Sequence, residues 1–162
     1  MLTKIDSFEG QYRFLSNFWP CPWIELDGVK YHSCEHAYQA AKTLILKDRE
    51  PFRDGTIPAG QAKHMGRNLI MRPDWELVKV DIMTDLVERK FKDEKLLELL
   101  IQTKPATLIE GNTWHDQFWG DCHCVSHKDI PGRNQLGKIL MKIRNRYKVE
   151  EEPSYEGYTT QA

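Results

Sequence analysis

The sequence predicts a single α+β domain that is mainly helical, and three observations support this prediction. The chain has 162 residues, enough for one domain whose hydrophobic core needs no disulfide or metal to hold it. Apolar residues recur at helical spacing after residue 32, whereas the first 32 residues carry patterns typical of short strands and turns. Repeats are absent from the sequence. We place the domain at residues 1–148 and expect the acidic, polar tail at 149–162 to be flexible.

The N-terminal part contains one clear hairpin pattern. Apolar residues alternate with polar ones on both sides of Asp27-Gly28, a dipeptide that favours a tight hairpin turn. The apolar positions are Ile24, Leu26, Val29 and Tyr31. We therefore predict two short antiparallel strands here.

Four further helices are expected downstream of a helix that begins after Ser33. Ser33 is a plausible N-cap of that first helix, and residues 51–60, with two prolines and two glycines, predict a loop. Pro58 suits the first turn of a short helix over 58–69, and Pro73 opens a longer one. Asp93 is the predicted cap of the next helix, which Pro105 ends.

The C-terminal part combines a long loop with a final helix. Residues 111–132 form a long polar segment, and loops of this length inside compact domains are usually functional. Asn134 is the predicted cap of a last helix that reaches about Tyr147.

Charge and cysteine content exclude several classes of protein. The chain carries 23 basic and 24 acidic residues, a net charge of −1, so it has no overall attraction to nucleic acid. It lacks an apolar run of membrane-spanning length and a secretion signal, so we expect no membrane association. The four cysteines (Cys21, Cys34, Cys122 and Cys124) fit reduced thiols, and we expect a cytoplasmic protein.

The most informative segment is the predicted helix that follows Ser33. At about 100° per residue, Glu35, Gln39 and Lys42 lie on one face within about 60° of one another. The adjoining stripe is apolar and consists of Ala37, Tyr38, Ala41, Leu44 and Ile45. A carboxylate, an amide and an amine on one face favour a binding site, although a solvent-facing polar stripe is the alternative.

Several other segments occur in series with this helix. They are Phe14–Trp19, Ile24–His32, Met65–Arg67, Asp74–Lys79, Phe118–Asp121 and Gly132–Met141. In this order and spacing, over roughly 14–147, the chain resembles the NADAR (YbiA-like) family, whose name refers to NAD and ADP-ribose. Each motif is weak alone, but the series is specific.

This resemblance implies an N-glycosidase, an enzyme that hydrolyses the bond between a nitrogen and a ribose carbon. The family residues tied to that activity correspond to Glu35, Trp75, Trp119, Asp121 and Asn134. Family substrates are phosphorylated ribosyl-amine intermediates of riboflavin synthesis or ADP-ribosylated guanine in DNA. The resemblance also implies a compact YbiA-like fold.

Residue chemistry is consistent with such a reaction. Glu35 lies in the first helical turn, where the helix dipole favours an ionised carboxylate that activates water or stabilises an oxocarbenium-like centre. Asp121 is the predicted second acid or base, and Asp116 is the alternative for that role. Trp119 and Trp75 offer stacking surfaces, although on helical pattern alone Trp75 reads as a core residue.

Three polar residues are the remaining candidates for substrate contacts. Lys42 also matches the family; it either binds phosphate and orients Glu35 or forms a Schiff base with a ring-opened ribose, and we rank the electrostatic role first. Arg67 has the geometry to bind a pyrophosphate. Asn17 either binds ribose hydroxyls or shapes its turn.

The loop after Asp121 differs from the corresponding loop of many family members, which is short and rich in glycine and lysine. Cys122, Cys124 and His127 are possible zinc ligands. A fourth ligand has no obvious spacing, and the candidates are His115, His123, Cys34 and Cys21. A reduced, metal-free loop is the favoured interpretation.

The sequence thus predicts hydrolysis of an ADP-ribosyl or phosphoribosyl amine, with no cofactor required. A non-catalytic module that binds ADP-ribose is the alternative, although such a module has no need of paired carboxylates. The expected partner is the substrate, either a small molecule or linked to nucleic acid, and no stable protein partner is implied.

Overall fold

The computed structural model describes residues 2–147, so the tail predicted at 149–162 lies outside the described residues. The helices are α1 (Cys34–Ala41), α2 (Leu46–Arg49), α3 (Ala59–Met65), α4 (Trp75–Lys90), α5 (Glu94–Gln102) and α6 (Gln135–Asn145). The strands are β1 (Lys4–Ile5), β2 (Ile24–Leu26), β3 (Val29–Tyr31), β4 (Thr107–Leu108), β5 (Gly111–Asn112) and β6 (Asp121–Cys122). Helices predominate over these short strands, as the sequence predicted.

The predicted hairpin is confirmed. Strands β2 and β3 pair antiparallel, with Ile24 opposite Tyr31. Asp27 and Gly28 both have positive φ, 49° and 78°, the backbone that a two-residue hairpin turn with the twist of the strands requires. Ile24 and Tyr31 are buried, so the hairpin contributes one apolar face to the core.

Helix α1 begins where the sequence predicted but ends earlier than the apolar stripe implied. The Ser33 hydroxyl accepts a hydrogen bond from the His36 N–H at 3.2 Å, which caps the helix. Every residue of α1 is buried. The helix ends at Ala41, and Leu44 and Ile45 are exposed beyond it. Those two residues therefore do not extend the buried stripe, because the helical geometry that would align them has stopped.

The other predicted helices form with small differences. The segment expected as a loop at 51–60 contains most of a short 3₁₀ helix, Glu50–Arg53, and the first residues of α3. The Asp93 carboxylate accepts a hydrogen bond from the Leu96 N–H at 2.9 Å and caps α5 as predicted. The prolines at 51 and 58 thus begin helical turns rather than exclude them, because proline lacks only a donor that the first turn does not use.

Helix α1 lies at the centre of the domain, in contact with α3, α4 and the β2–β3 hairpin. Helix α6 packs on α4, α5 and β4, and β4 pairs parallel with β1. The core runs through these elements, and none of the helices in residues 2–147 has both the length and the apolar character to cross a membrane.

Strand pairing closes the first part of the long polar segment after residue 110. Strands β5 and β6 pair parallel, with Gly111 opposite Asp121 and Asn112 opposite Cys122. This pairing closes the intervening residues into a loop next to the N-terminus of α1, which is the position from which the loop contributes to the cleft described below.

Candidate active site

A cleft of about 560 Å³ lies between α1, α3 and the loop that β5 and β6 close. This volume is in the usual range for a site that binds a small molecule. Its acidic lining residues are Glu9, Glu35, Glu110 and Asp116, and its basic ones are Lys42, Lys63 and Arg67. Its aromatic lining residues are Phe8, Phe18, Tyr38, Trp114 and Trp119.

Glu35 reaches the cleft from the first turn of α1. Its Oε1 accepts a hydrogen bond of 2.6 Å from the Gln39 side-chain amide. Two residues of the predicted polar stripe are therefore in direct contact. Gly66 makes room for this amide, since a Cβ there would lie 1.9 Å from Gln39 Oε1. The backbone N–H of Glu35 donates to the Asn17 carbonyl at 3.1 Å, which fixes the start of the helix.

The electrostatics of Glu35 differ from the expectation based on the helix dipole. Burial raises the pKa of the Glu35 carboxyl, while the Gln39 hydrogen bond and the charges of Lys63 and Lys42 oppose the rise. Loss of hydration therefore outweighs the groups that favour the anion. The consequence is a carboxylate that is more basic than an exposed glutamate.

Glu110 is a second buried carboxyl that the sequence analysis missed. Burial, together with the negative charges of Asp116 and Glu35, raises its pKa to about 8. Its Oε2 is a buried atom with no hydrogen-bond partner. At neutral pH Glu110 is therefore mostly protonated and can donate a proton.

No motif marked Glu110 in the sequence. It stands between Ile109 and Gly111 in a segment without helical spacing or a cap. Its proximity to Glu35 arises from the parallel pairing of β1 with β4 and of β5 with β6, contacts between distant segments. The only available hint was an acidic residue at the end of a short apolar run.

Lys42 is a half-buried cation of the site. Burial lowers the pKa of its amine, Glu35 opposes that change, and the nearby charges of Lys63 and Arg67 add to it. Its Nζ lies 5.6 Å from the centre of the Tyr38 ring. Lys42, Lys63 and Arg67 line one cleft, an arrangement that suits phosphate groups.

Asp116 and Trp119 reach the cleft from the long loop. The Asp116 carboxylate accepts hydrogen bonds from the backbone N–H groups of Phe118 and Trp119, at 3.1 Å and 2.9 Å. The Trp119 indole N–H donates to the Tyr38 hydroxyl at 3.2 Å, and the two rings meet edge to face at 5.5 Å. These contacts fix Trp119 at the cleft wall as a half-buried aromatic surface.

Asn17 also lines the cleft, as the sequence analysis expected for a substrate contact. Its amide Nδ2 lies 3.3 Å from the Met83 sulfur, and its Oδ1 has no partner. Of the four buried side-chain nitrogen and oxygen atoms without a partner in residues 2–147, three belong to cleft residues: Asn17 Oδ1, Gln39 Oε1 and Glu110 Oε2. Because burying an unpaired polar atom is costly, these atoms indicate a place where a ligand supplies partners.

Three of the predicted site residues lie outside the cleft lining. The Asp121 carboxylate, on β6, accepts a hydrogen bond from the Gly132 N–H at 2.7 Å. The Asn134 side chain accepts from the Glu110 N–H at 3.0 Å and donates to the Leu108 carbonyl at 2.9 Å. Trp75 is buried at the start of α4, with its ring 5.0 Å from that of Tyr38.

Asn134 precedes α6, as predicted, but its side chain does not cap the helix. Its backbone is left-handed, with φ of 49°, and its amide joins α6 to the segment that carries Glu110. The side chain is therefore engaged in a tertiary contact that the cap prediction did not include.

The family is decided by the extent of the sequence match. The model of the NADAR domain matches residues 6–148. The chain belongs to the NADAR family.

One relative bears this out over most of the chain, by its sequence and by its solved structure. The chain is 37% identical to the N-glycosidase YbiA of Escherichia coli over 155 residues, 93% of this chain and 91% of that protein. The NMR structure of Escherichia coli YbiA matches with a TM-score of 0.71 and 35% identity, covering 90% of this chain and 86% of that one. The predicted YbiA-like fold is thereby confirmed.

More distant NADAR relatives carry two kinds of name. An N-glycosidase of Nostoc punctiforme is 36% identical over 138 residues, 82% of this chain and 84% of that protein. A riboflavin biosynthesis protein of Vibrio vulnificus is 34% identical over 133 residues, 81% of this chain but 34% of that longer protein. The identity and coverage of the two relatives named N-glycosidase show that the chain is a glycosidase of the NADAR family.

Proposed function

We propose that this chain hydrolyses the bond between a nitrogen and the C1 carbon of a phosphorylated ribose, in an ADP-ribosyl or phosphoribosyl amine. The observation that carries the proposal is one cleft lined by Glu35, Glu110 and three cations. Two carboxyls in one cleft, both with a pKa raised chiefly by burial, match the acid and base of glycoside hydrolysis. Cations beside them suit the phosphates of such a substrate.

The two carboxyls take complementary roles in the proposed reaction. Glu110, with its pKa of about 8, donates its proton to the leaving nitrogen as the C1–N bond breaks. Glu35 takes a proton from the water whose oxygen bonds to C1, and its negative charge stabilises the developing cation on the sugar. The products are a free amine and a sugar with a C1 hydroxyl, and proton exchange with solvent restores both carboxyls.

Asp121 was the sequence-based choice for the second acid or base. We propose Glu110 in its place because the Asp121 carboxylate bonds the Gly132 N–H and is not part of the cleft lining. Asp116, the other alternative, has an oxygen that bonds two backbone N–H groups. Its proposed contribution is a negative charge that keeps Glu110 protonated.

The remaining contacts assign binding roles. Lys42, Lys63 and Arg67 are proposed to bind phosphate oxygens, and Asn17 Oδ1, which has no partner, to accept from a ribose hydroxyl. Trp119 is proposed to provide a stacking surface. A covalent role for Lys42 is the alternative, and the lowered pKa of its amine is the observation that favours it.

Trp75 and Asn134 are proposed as supports of the site. Trp75 packs behind Tyr38, a residue that lines the cleft, and Asn134 holds the backbone of Glu110. Neither side chain needs to touch the substrate for its loss to impair turnover. The four cysteines are free thiols, which suits the reducing cytoplasm that we propose as the location.

The experiment is an assay with two substrate classes on the purified full chain. DNA that carries ADP-ribosylated guanine is incubated in one arm, phosphoribosyl amines of the riboflavin type in the other, and products are identified by mass spectrometry. We expect free ADP-ribose and DNA with unmodified guanine in the first arm, or a free amine and a ribose phosphate in the second, in at least one of the two arms. The arm that reacts identifies the substrate class.

Glu35→Gln is the matched variant for both arms. It keeps size and removes the base, and loss of a positioned acid–base group costs about 10²- to 10⁴-fold in turnover. Its melting temperature is measured beside wild type as a control for folding. Binding of ADP-ribose without turnover in either arm would favour the non-catalytic module, and unchanged turnover in folded Glu35→Gln would contradict the mechanism.

A further inference from the structure

A cluster of metal-ligand side chains lies in the loop beside the cleft. The nitrogens of His115 and His127 and the sulfurs of Cys122 and Cys124 all lie within 4.8 Å of one another. Three of these residues were possible zinc ligands in the sequence, and the structure brings His115 to them as a fourth. Two thiols and two imidazoles are a common set of ligands for structural zinc.

The distances within the cluster approach those around a tetrahedral zinc. Zinc bonds of about 2.3 Å to sulfur and about 2.0 Å to nitrogen place two ligand nitrogens about 3.3 Å apart, and a nitrogen and a sulfur about 3.5 Å apart. The Nδ1 atoms of His115 and His127 lie 3.4 Å apart. Cys124 Sγ lies 3.3 Å from His115 Nδ1 and 3.0 Å from His127 Nδ1. Small movements are enough to complete the polyhedron.

The backbone holds all four side chains in this arrangement. Cys122 is on β6, and its sulfur accepts a hydrogen bond from the Cys124 backbone N–H at 3.5 Å. The His127 N–H donates to the Cys124 carbonyl at 3.0 Å and closes a turn. His115 has a φ of 71°, a left-handed backbone in which histidine is enriched among non-glycine residues, and its ring faces the Cys124 thiol.

We propose that His115, Cys122, Cys124 and His127 bind one Zn²⁺ ion. The site has four protein ligands, so it is a closed structural site with no open position at which to activate water. The Cys-x-Cys spacing is tighter than the usual zinc spacing, and it is workable here because Cys122 ends a strand and Cys124 begins a turn.

A zinc ion at this position would be attached to the wall of the cleft. His115 lies between Trp114 and Asp116, and all three line the cleft. Zinc would tie this segment directly to His127, in addition to the β5–β6 pairing and the hydrogen bond from the Gln117 side chain to the Ile130 carbonyl. Bound zinc therefore fixes the cleft wall that carries Asp116 and lowers the freedom of the loop in the folded state.

The test begins with metal content. The full chain is purified without chelator from zinc-supplemented cells, and metals are measured by mass spectrometry with inductively coupled plasma. We expect about one zinc per chain in wild type. Cys124→Ser and His127→Ala are expected to lose it, whereas the control His123→Ala, an exposed neighbour outside the cluster, is expected to keep it.

Two further measurements keep the result interpretable if a variant folds poorly. Apo wild type titrated with Co²⁺ is expected to show thiolate-to-cobalt absorption that reaches a plateau at one equivalent. A strong chelator is expected to lower the melting temperature of wild type and of His123→Ala, since metal that binds only the folded state stabilises it. Cys124→Ser is expected to be insensitive to the chelator.

Three outcomes would overturn the proposal. The first is a wild type that contains no zinc and gives no thiolate absorption with cobalt. The second is zinc retained by both Cys124→Ser and His127→Ala. The third is a mass lower by two hydrogens on the peptide with Cys122 and Cys124 in protein kept reduced, which would indicate a disulfide. None of these readouts depends on turnover, so they are independent of the proposed reaction.

Discussion

Glu110→Gln separates the proposed proton donor from a buried carboxyl with a structural role. The substitution keeps the shape of the side chain and removes its titration. In turnover assays at neutral pH we expect a loss of about 10²- to 10⁴-fold, the usual cost of removing a positioned acid. In wild type, turnover should decline as pH rises through about 8, where Glu110 loses its proton.

The same substitution has a stability effect whose sign follows from the pKa. Burial raises the pKa of Glu110 from 4.5 to about 8, so the folded state binds the proton more tightly than the unfolded chain. Wild type therefore loses stability as pH rises from 4.5 to 8, and Glu110→Gln does not. One pKa unit is about 1.4 kcal/mol, which sets an upper limit of about 5 kcal/mol. Although Glu110 Oε2 is buried, the residue as a whole is partly exposed at the cleft and water screens it in part, so we expect a relative gain of about 1–3 kcal/mol.

The assay is chemical denaturation of wild type and Glu110→Gln at pH 4.5, 7 and 9. The difference in unfolding free energy should grow in favour of the variant between the first and last of these pH values. Glu98→Gln, an exposed glutamate on α5, makes the same chemical change and should show no such growth. A difference in unfolding free energy that is constant with pH would contradict the raised pKa of Glu110. Full turnover in folded Glu110→Gln would contradict its role as the acid.

Three further substitutions test the remaining assignments. Lys42→Arg should retain part of the activity if Lys42 acts through its charge, whereas a Schiff-base role predicts no activity and a borohydride-trapped adduct on the Lys42 peptide of wild type. Asp121→Asn should keep turnover within about threefold of wild type, because an amide oxygen can still accept the Gly132 N–H; a loss beyond about 10²-fold would instead support the sequence-based role of Asp121. Asn134→Ala removes hydrogen bonds to Leu108 and Glu110 and should cost about 1–3 kcal/mol in denaturation with a fall in turnover; unchanged values of both would contradict a supporting role.

Local chemistry in the sequence was enough to predict most of the elements. Ser33 and Asp93 cap their helices through side-chain bonds, and Asp27-Gly28 forms the hairpin turn. These features depend on neighbours within a few residues, so the sequence contains the information directly. Helical periodicity likewise predicted that Glu35 and Gln39 share a face, and they are hydrogen-bonded.

Tertiary structure alone decided which other carboxyls share the cleft with Glu35. Asp121 was the natural choice from its motif, but the pairing of β6 with β5 turns it toward Gly132. The same pairing and the β1–β4 contact bring Glu110 to the cleft from a segment with no pattern of its own. The pKa of Glu35 also depended on burial, which the helix dipole argument could not supply.

The segment between β5 and α6 shows most clearly what the sequence determines and what only the tertiary structure decides. The sequence determined which chemistry it holds: two tryptophans, acids, thiols and imidazoles over 114–127. Its spacing could not tell which of these face the cleft and which face one another, because a loop has no period that relates position to direction. Parallel pairing of Gly111 with Asp121 closes the loop, and that contact between distant residues places His115 against the cysteines and Asp116 in the cleft wall.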